Sequence, residues 1–341
     1  LFIASHTRPG DTVLDSFAGS GTTGIAARLC DRPTETMRET AERLGLPVEW
    51  GPRRAVLYEI SVIGSLLART MCNPPSPETF ERAAHALVAD AEDTFGWIYD
   101  TEAPDGSAGK VRHVIWSEIL VCPACDTEIS YWDAAVRHDP LELAKDFLCS
   151  CGRSIDVSAC ARATESVVDE ATADQVVRRR RVPVRVHGSN GSKKWQRPVS
   201  PADKDLIDRV LETPVPGWYP QDEVFWGDLH RSGYHQGIDR FHQFYTRRNL
   251  IALTSLWSRI DAQPAELREA LRLWVLSFNA SHSTLMTRVV LKQGQKDFVS
   301  TGAQSGVLYI SGLPVEKNVF EGVRRKIRTF SQAFEMTYDS H

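Results

Sequence analysis

The spacing of apolar positions changes several times along the chain. Val13 and Leu14 form a short apolar run that predicts a buried strand over Thr12 to Leu14. Gly19, Gly21 and Gly24 then punctuate a turn, and Ile25-Ala26-Ala27-Arg28-Leu29 opens a helix to about Cys30. A polar helix is expected from Glu35 to Leu44. Arg54-Ala55-Val56-Leu57-Tyr58 reads as a second strand, ending in Glu59. From Ser61 onward Val62, Ile63, Leu66 and Leu67 recur at helical spacing, and Asn73-Pro74-Pro75 stops that helix. Phe80, Ala84, Leu87 and Ala91 mark a further helix over 78–98.

Beyond that point the pattern turns to strands. Val111 to Trp116 and Ile119-Leu120-Val121 are expected strands, as is Ile129-Ser130-Tyr131-Trp132. Val182, Val184 and Val186 alternate through a strand that leads to a flexible turn at 187–192. Phe244 to Leu250 opens a helix carrying Ile251, Leu253, Leu256, Trp257 and Ile260, and another helix covers 265–280. A polar loop is expected over 279–287, a strand over 306–310 and a basic helix over 316–334. Strand-helix-strand order near the start predicts an α/β class with the first half of a Rossmann-type sheet. The segments read as 1–110 (that half-sheet), 111–165 (a metal ribbon), 166–230 (a basic β segment) and 231–341 (a helical and β remainder). Because it opens at Leu1 and closes without an obvious final element, the chain reads as a fragment.

The net charge of −4 assigns any nucleic-acid contact to a local basic patch rather than to a global field. No apolar run is long enough to span a bilayer, and no signal peptide is visible, so a cytoplasmic setting is expected. The seven cysteines include two close pairs, which favours metal over disulfides. Cys122-Pro123-Ala124-Cys125 is a knuckle after a strand, and Cys149-Ser150-Cys151-Gly152 is its partner. Four thiolates on two knuckles make a tetrahedral Zn²⁺ site of structural type. The second pair is one residue shorter than the first, which leaves Cys160 or His138 as alternatives to one of its members.

Asp15, at the tip of the first strand, decides among ligands for the glycine turn. Gly19, Gly21 and Gly24 satisfy G-x-G-x-x-G, but a pyrophosphate there would be repelled by Asp15. S-adenosylmethionine, with its sulfonium and ammonium, would be attracted. A Walker loop is excluded because no Lys follows the glycines. Glu59 is placed to accept both ribose hydroxyls of an adenosine. Leu14-Asp15-Ser16-Phe17-Ala18-Gly19-Ser20-Gly21-Thr22 closely resembles the D-P-F-x-G-S-G-T motif of DNA methyltransferases that methylate exocyclic amines, with Ser16 where proline is usual. The resemblance implies a Rossmann-like methyltransferase sheet with an inserted zinc ribbon and additional α+β segments. It implies Asp15, Phe17, Gly19, Gly21, Thr22 and Glu59 as cofactor residues, and Cys122, Cys125, Cys149 and Cys151 as metal ligands.

Looser stretches, Gly96 to Tyr99, Trp218-Tyr219-Pro220 and Phe244 to Leu250, resemble large site-specific DNA methyltransferases with such a ribbon. In that subgroup the catalytic D-P-P-F/Y loop lies C-terminal to everything in this chain. Asn73-Pro74-Pro75-Ser76 follows a helix, lacks the aromatic fourth residue, and reads as a helix stop instead. Residues 1–341 are therefore expected to be inactive alone. The parent protein is expected to flip a base from double-stranded DNA and methylate its exocyclic amine, adenine N6 being preferred to cytosine N4.

From Val176 to Arg197 there are eight Arg or Lys and no acid. Arg178, Arg179, Arg180, Arg181, Lys193 and Lys194 are candidate phosphate contacts, or else a solvated edge. Arg247 and Arg248 lie in the first turn of a helix, where N–H groups favour anions. The alternatives are a non-enzymatic zinc-ribbon DNA-binding module on the same scaffold, and an RNA methyltransferase. Oligomeric state, recognition sequence and a role in restriction, defence or regulation carry no signal in the residues.

Overall fold

A computed structural model describes residues 1–225, 227, 235–278, 286–290, 299–301 and 310–338. The expected polar loop at 279–287 and strand at 306–310 lie largely outside them. The protein is mixed α/β and divides into two compact units, Leu1–Ala89 with Arg259–Ser277 and Val323–His341, and Asp90–Ser258 with Phe278–Gly322.

In the first unit a short helix, α1 (Phe2–His6), precedes β1 (Thr12–Asp15), α2 (Thr22–Leu29), α3 (Glu35–Arg43), β2 (Arg54–Leu57) and α4 (Val62–Cys72). β1 and β2 run parallel, with Asp15 opposite Leu57. Local chemistry sets the helix starts. The Thr34 hydroxyl accepts the Met37 N–H at 3.2 Å and the Ser61 hydroxyl accepts that of Gly64 at 3.2 Å. At the other end of α4, Asn73 is the C-cap and the two prolines after it cannot continue the helix.

The core of this unit is helical. Phe80, on α5 (Pro77–Phe95), meets Phe334 edge-on at 5.0 Å and Trp274 at 6.3 Å. β1 is not the buried strand its apolar run predicts: Leu14 is 65 % exposed and Val56, beside it on β2, is 40 % exposed. The face of this two-stranded sheet that carries Leu14 and Val56 is left open.

The second unit is built on a long strand, β4 (Ala108–Val121), at the centre of a seven-stranded sheet. β3 (Asp100–Glu102), β5 (Glu128–Ser130), β10 (Ala161–Arg162), β13 (Arg181–Asn190) and β15 (Val315–Lys317) all pair with it antiparallel. β14 (Lys193–Pro198) extends the sheet beyond β13. The expected turn at 187–192 narrows to the two residues between β13 and β14, with Gly191 at φ 56°. The strand expected over Ile129 to Trp132 stops at Ser130. The Ser130 hydroxyl accepts the Asp133 N–H at 3.0 Å and starts α6 (Tyr131–Ala135). A cap thus prevails over the strand preference of Tyr131 and Trp132.

β6 (Val136–His138) pairs with β7 (Leu141–Leu143), and β8 (Asp146–Leu148) with β9 (Ser154–Asp156). Leu120, Phe147, Ile155 and Val157 form a small core under this ribbon. β11 (Thr164–Val168) and β12 (Gln175–Arg179) form a separate hairpin. α7 (Pro201–Glu212) and α8 (Arg247–Ile260) follow.

On β4, His113 faces His187 of β13, their rings stacked 4.2 Å apart. Burial, followed by the charge of His187, pushes His113 down to about 3. An unfolded chain takes this proton near pH 6.5, so from there down to about pH 3 the unfolded state holds more protons. Stability is therefore complete above pH 6.5 and falls on acidification, by up to about 1.4 kcal/mol per pH unit. Urea unfolding across that range measures the slope, and His113→Phe is expected to flatten it.

Among the described residues no helix is long and apolar enough to cross a membrane.

Candidate cofactor site and metal cluster

The turn after β1 is tied to the end of β2 by its backbone. The Tyr58 N–H donates to the Asp15 carbonyl at 2.8 Å, and the Ala18 N–H donates to the Tyr58 carbonyl at 3.0 Å. Asp15 and Glu59 are thereby brought to the same end of the sheet. Asp15 accepts the Phe17 N–H at 3.0 Å and the Thr23 hydroxyl at 2.5 Å. Those two bonds, Thr23 first, hold its carboxyl below the ordinary value. Glu59 accepts the Ser61 N–H and the Gly19 N–H, both at 2.7 Å. It too lies below its ordinary value, although the Asp15 charge opposes this. The turn thus carries two ionised carboxylates at neutral pH.

The glycines do different jobs. Gly21 is the N-cap of α2 at φ 81°, and a side chain there would strike the Ala68 backbone at 2.8 Å. Gly64 matters just as much, because a Cβ would lie 2.8 Å from Glu59 Cγ. Nothing in the G-x-G spacing pointed to Gly64. The Gly19 N–H, expected to face a ligand, is spent on Glu59, so the carboxylate both closes the turn and keeps its remaining lone pairs. Phe17, Gly19, Ser20 and Thr22 are exposed, and Phe17 is 87 % so. A cavity of about 430 Å³ along β2 is lined by Arg53, Leu57, Glu59, Ala68, Arg69 and Cys72. Of the six cofactor candidates it touches only Glu59.

In the second unit the sulfurs of Cys122, Cys125, Cys149 and Cys151 all lie within 4.8 Å of one another and could hold a metal ion. Both knuckles are tight turns. The Asp126 N–H reaches the Cys122 carbonyl at 3.0 Å, and the Gly152 N–H the Cys149 carbonyl at 2.9 Å. Gly152, at φ 82°, lets the shorter pair fold back. Cys160 is outside the group, its thiol donating to the Asp156 carbonyl at 3.6 Å. His138 is outside it as well. The Thr127 hydroxyl and N–H beside Cys125 bring that thiol down to about 6, which favours the thiolate a metal needs.

Most of the basic stretch is matched by acids. Arg178 pairs with Glu165 at 2.7 Å, Arg180 with Glu128, and Arg197 with Asp203 at 2.5 Å. Arg179 and Arg181 converge on Glu118 at 3.2 and 3.1 Å. Lys193 and Lys194 stand exposed at the hairpin tip, Lys193 within 3.3 Å of Asp105. The first turn of α8 faces inward. Arg248 is 4 % exposed and pairs with Glu316 at 3.2 Å, and the Tyr99 hydroxyl donates to Asn249 at 2.9 Å. Arg247 pairs with Glu170 at 2.6 Å. Neither arginine presents an open anion site.

Residues 1–61 match the N6/N4 family model described as DNA methylase. No curated protein and no solved structure matches the chain. The family match supports a DNA methyltransferase in general, and it covers β1, the glycine turn, β2 and Glu59.

Proposed function

We propose that the first unit binds S-adenosylmethionine as part of a DNA methyltransferase acting on an exocyclic base amine, with adenine N6 as the target. The observation that carries this reading is the pair of ionised carboxylates, Asp15 and Glu59, on one turn within the matched segment. Two negative charges suit a cationic methyl donor and repel a dinucleotide pyrophosphate. The bound donor supplies a methyl group on a sulfonium, open to attack by a nitrogen lone pair. Asp15 would supply negative charge that attracts the donor's cationic groups. Glu59, with lone pairs left over, would accept ribose hydroxyls, and the exposed Phe17 ring would be available to the adenine. The sheet is read as the first part of a Rossmann-like methyltransferase sheet.

The 341 residues contain no D/N-P-P-Y/F tetrad to hold the target amine. Residues 1–341 alone are therefore expected to bind the donor and methylate nothing. The four-cysteine cluster is proposed as a structural Zn²⁺ site, and double-stranded DNA as the partner, contacted through Lys193 and Lys194.

Photocrosslinking with radiolabelled S-adenosylmethionine tests the cofactor reading. The label is expected within residues 1–61, to be displaced by S-adenosylhomocysteine and to be unaffected by NAD. Labelling displaced by NAD, or spread over the chain, would overturn it. In DNA retardation, Lys193→Ala with Lys194→Ala is expected to lower the salt slope by about 2.

A further inference from the structure

Of the two carboxylates on the turn, Asp15 is the one held by a side chain. Its Oδ1 accepts the Phe17 N–H at 3.0 Å, and its Oδ2 accepts the Thr23 hydroxyl at 2.5 Å. Glu59, by contrast, is held by the backbone N–H groups of Gly19 and Ser61. Thr23 lies past the glycine turn, in the first turn of α2. Its neighbour Thr22 is exposed, with its hydroxyl 3.2 Å from that of Ser20. The two threonines therefore differ. Thr22 engages the turn itself, while Thr23 reaches back eight positions to the tip of β1.

The two anchors of Asp15 are not equal. The Phe17 N–H belongs to a turn in which Ser16, unlike a proline, leaves its φ free. The Thr23 hydroxyl sits on a β-branched side chain with few rotamers, on a helix that Gly21 starts at φ 81°. An O–H donor to an ionised oxygen makes a charge-assisted bond, stronger than one between neutral groups. Thr23 is thus the firmer anchor. With each oxygen held once, the carboxylate cannot swing, and each oxygen keeps a lone pair for a cationic ligand.

Both anchors are donors, so they favour the ionised carboxyl over the protonated one, and Thr23 contributes more than Phe17. Glu59 is the charged group that shares the turn, and the two acids oppose each other's ionisation. The hydroxyl offsets that opposition at Asp15.

We propose that Thr23 is a positioning residue of the donor site: its hydroxyl fixes the Asp15 carboxylate that attracts the donor's cationic groups. Thr23 acts through Asp15, not through a contact of its own. The inference rests on the methyl-donor reading and adds a residue to it.

Isothermal titration of S-adenosylmethionine into the whole chain tests the role with Thr23→Val, Thr23→Ser and Thr23→Val combined with Asp15→Asn. Valine keeps the branch and the volume and lacks the donor. Thr23→Val is expected to weaken binding by about fivefold or more. Thr23→Ser, which keeps the hydroxyl, is expected to bind within about twofold of the unaltered chain. On Asp15→Asn, adding Thr23→Val is expected to change affinity by less than about twofold, whereas a purely structural loss would add in full. Without any donor, the ¹³C carboxyl signal of Asp15 is expected to titrate at higher pH in Thr23→Val than in the unaltered chain, because a donor to the charged form is gone. An unmoved titration would overturn the role, and so would equal affinities of Thr23→Val and the unaltered chain, or a loss undiminished on Asp15→Asn. No heat from the unaltered chain would instead overturn the methyl-donor reading, and the Thr23 role with it. That outcome is distinct from binding that Thr23→Val leaves untouched.

Discussion

Glu118→Gln is expected to destabilise the second unit by about 3–5 kcal/mol. Glu118 is 1 % exposed, and three guanidinium groups converge on it, from Arg162 at 3.1 Å, Arg179 at 3.2 Å and Arg181 at 3.1 Å. These residues lie on β10, β12 and β13, so a single carboxylate ties three strands to β4. Glutamine keeps the shape but loses the charge and turns an N–H₂ group toward cations. The arginines then remain in place without compensation, which is the expensive way to break a buried pair. Arg162→Ala should cost much less, because its side chain is 25 % exposed and the other two arginines still neutralise the acid. Urea unfolding of the two variants measures both effects. A loss below about 1 kcal/mol for Glu118→Gln would place the pair among weak surface bridges.

Metal removal should be the other large effect. Structural zinc contributes on the order of 10 kcal/mol of binding energy in small fingers, and binding energy there is folding energy. The ribbon here has its own small core of Leu120, Phe147, Ile155 and Val157, so its collapse should be partial. The chain is expected to carry one equivalent of zinc by atomic absorption. A chelator should raise amide exchange across residues 122–157 and leave the first unit protected. Cys151→Ser should lose the metal, while Cys160→Ser should keep it, since the Cys160 thiol is turned to the Asp156 carbonyl. Equal loss from both variants would contradict the assignment of the fourth ligand.

Features with short-range causes were legible in the residues. Helix starts at Thr34 and Ser61, the stop at Asn73 and the two knuckles each depend on neighbours a few positions away. Ser130 belonged to the same class of signal, but the aromatic residues after it read as strand. Features with distant partners were not legible. The arginine run from Arg178 to Arg181 looked like free positive charge, and its acids, Glu118, Glu128 and Glu165, stand on other strands. The first turn of α8 looked like an anion site until Glu316, some seventy positions on, was found beneath Arg248. β1 read as buried because its residues are apolar, and only the sheet's two-strand extent explains the exposure of Leu14.

Isothermal titration of S-adenosylmethionine into the whole chain and into Asp15→Asn tests the central claim most directly. Asparagine keeps the size of the side chain and can still accept the Phe17 N–H, so the turn is retained while the charge is lost. Saturable heat with one site is expected for the unaltered chain, with affinity falling by at least about tenfold in the variant. Equal heats from both proteins, or none from the unaltered chain, would contradict a methyl-donor site built on that charge.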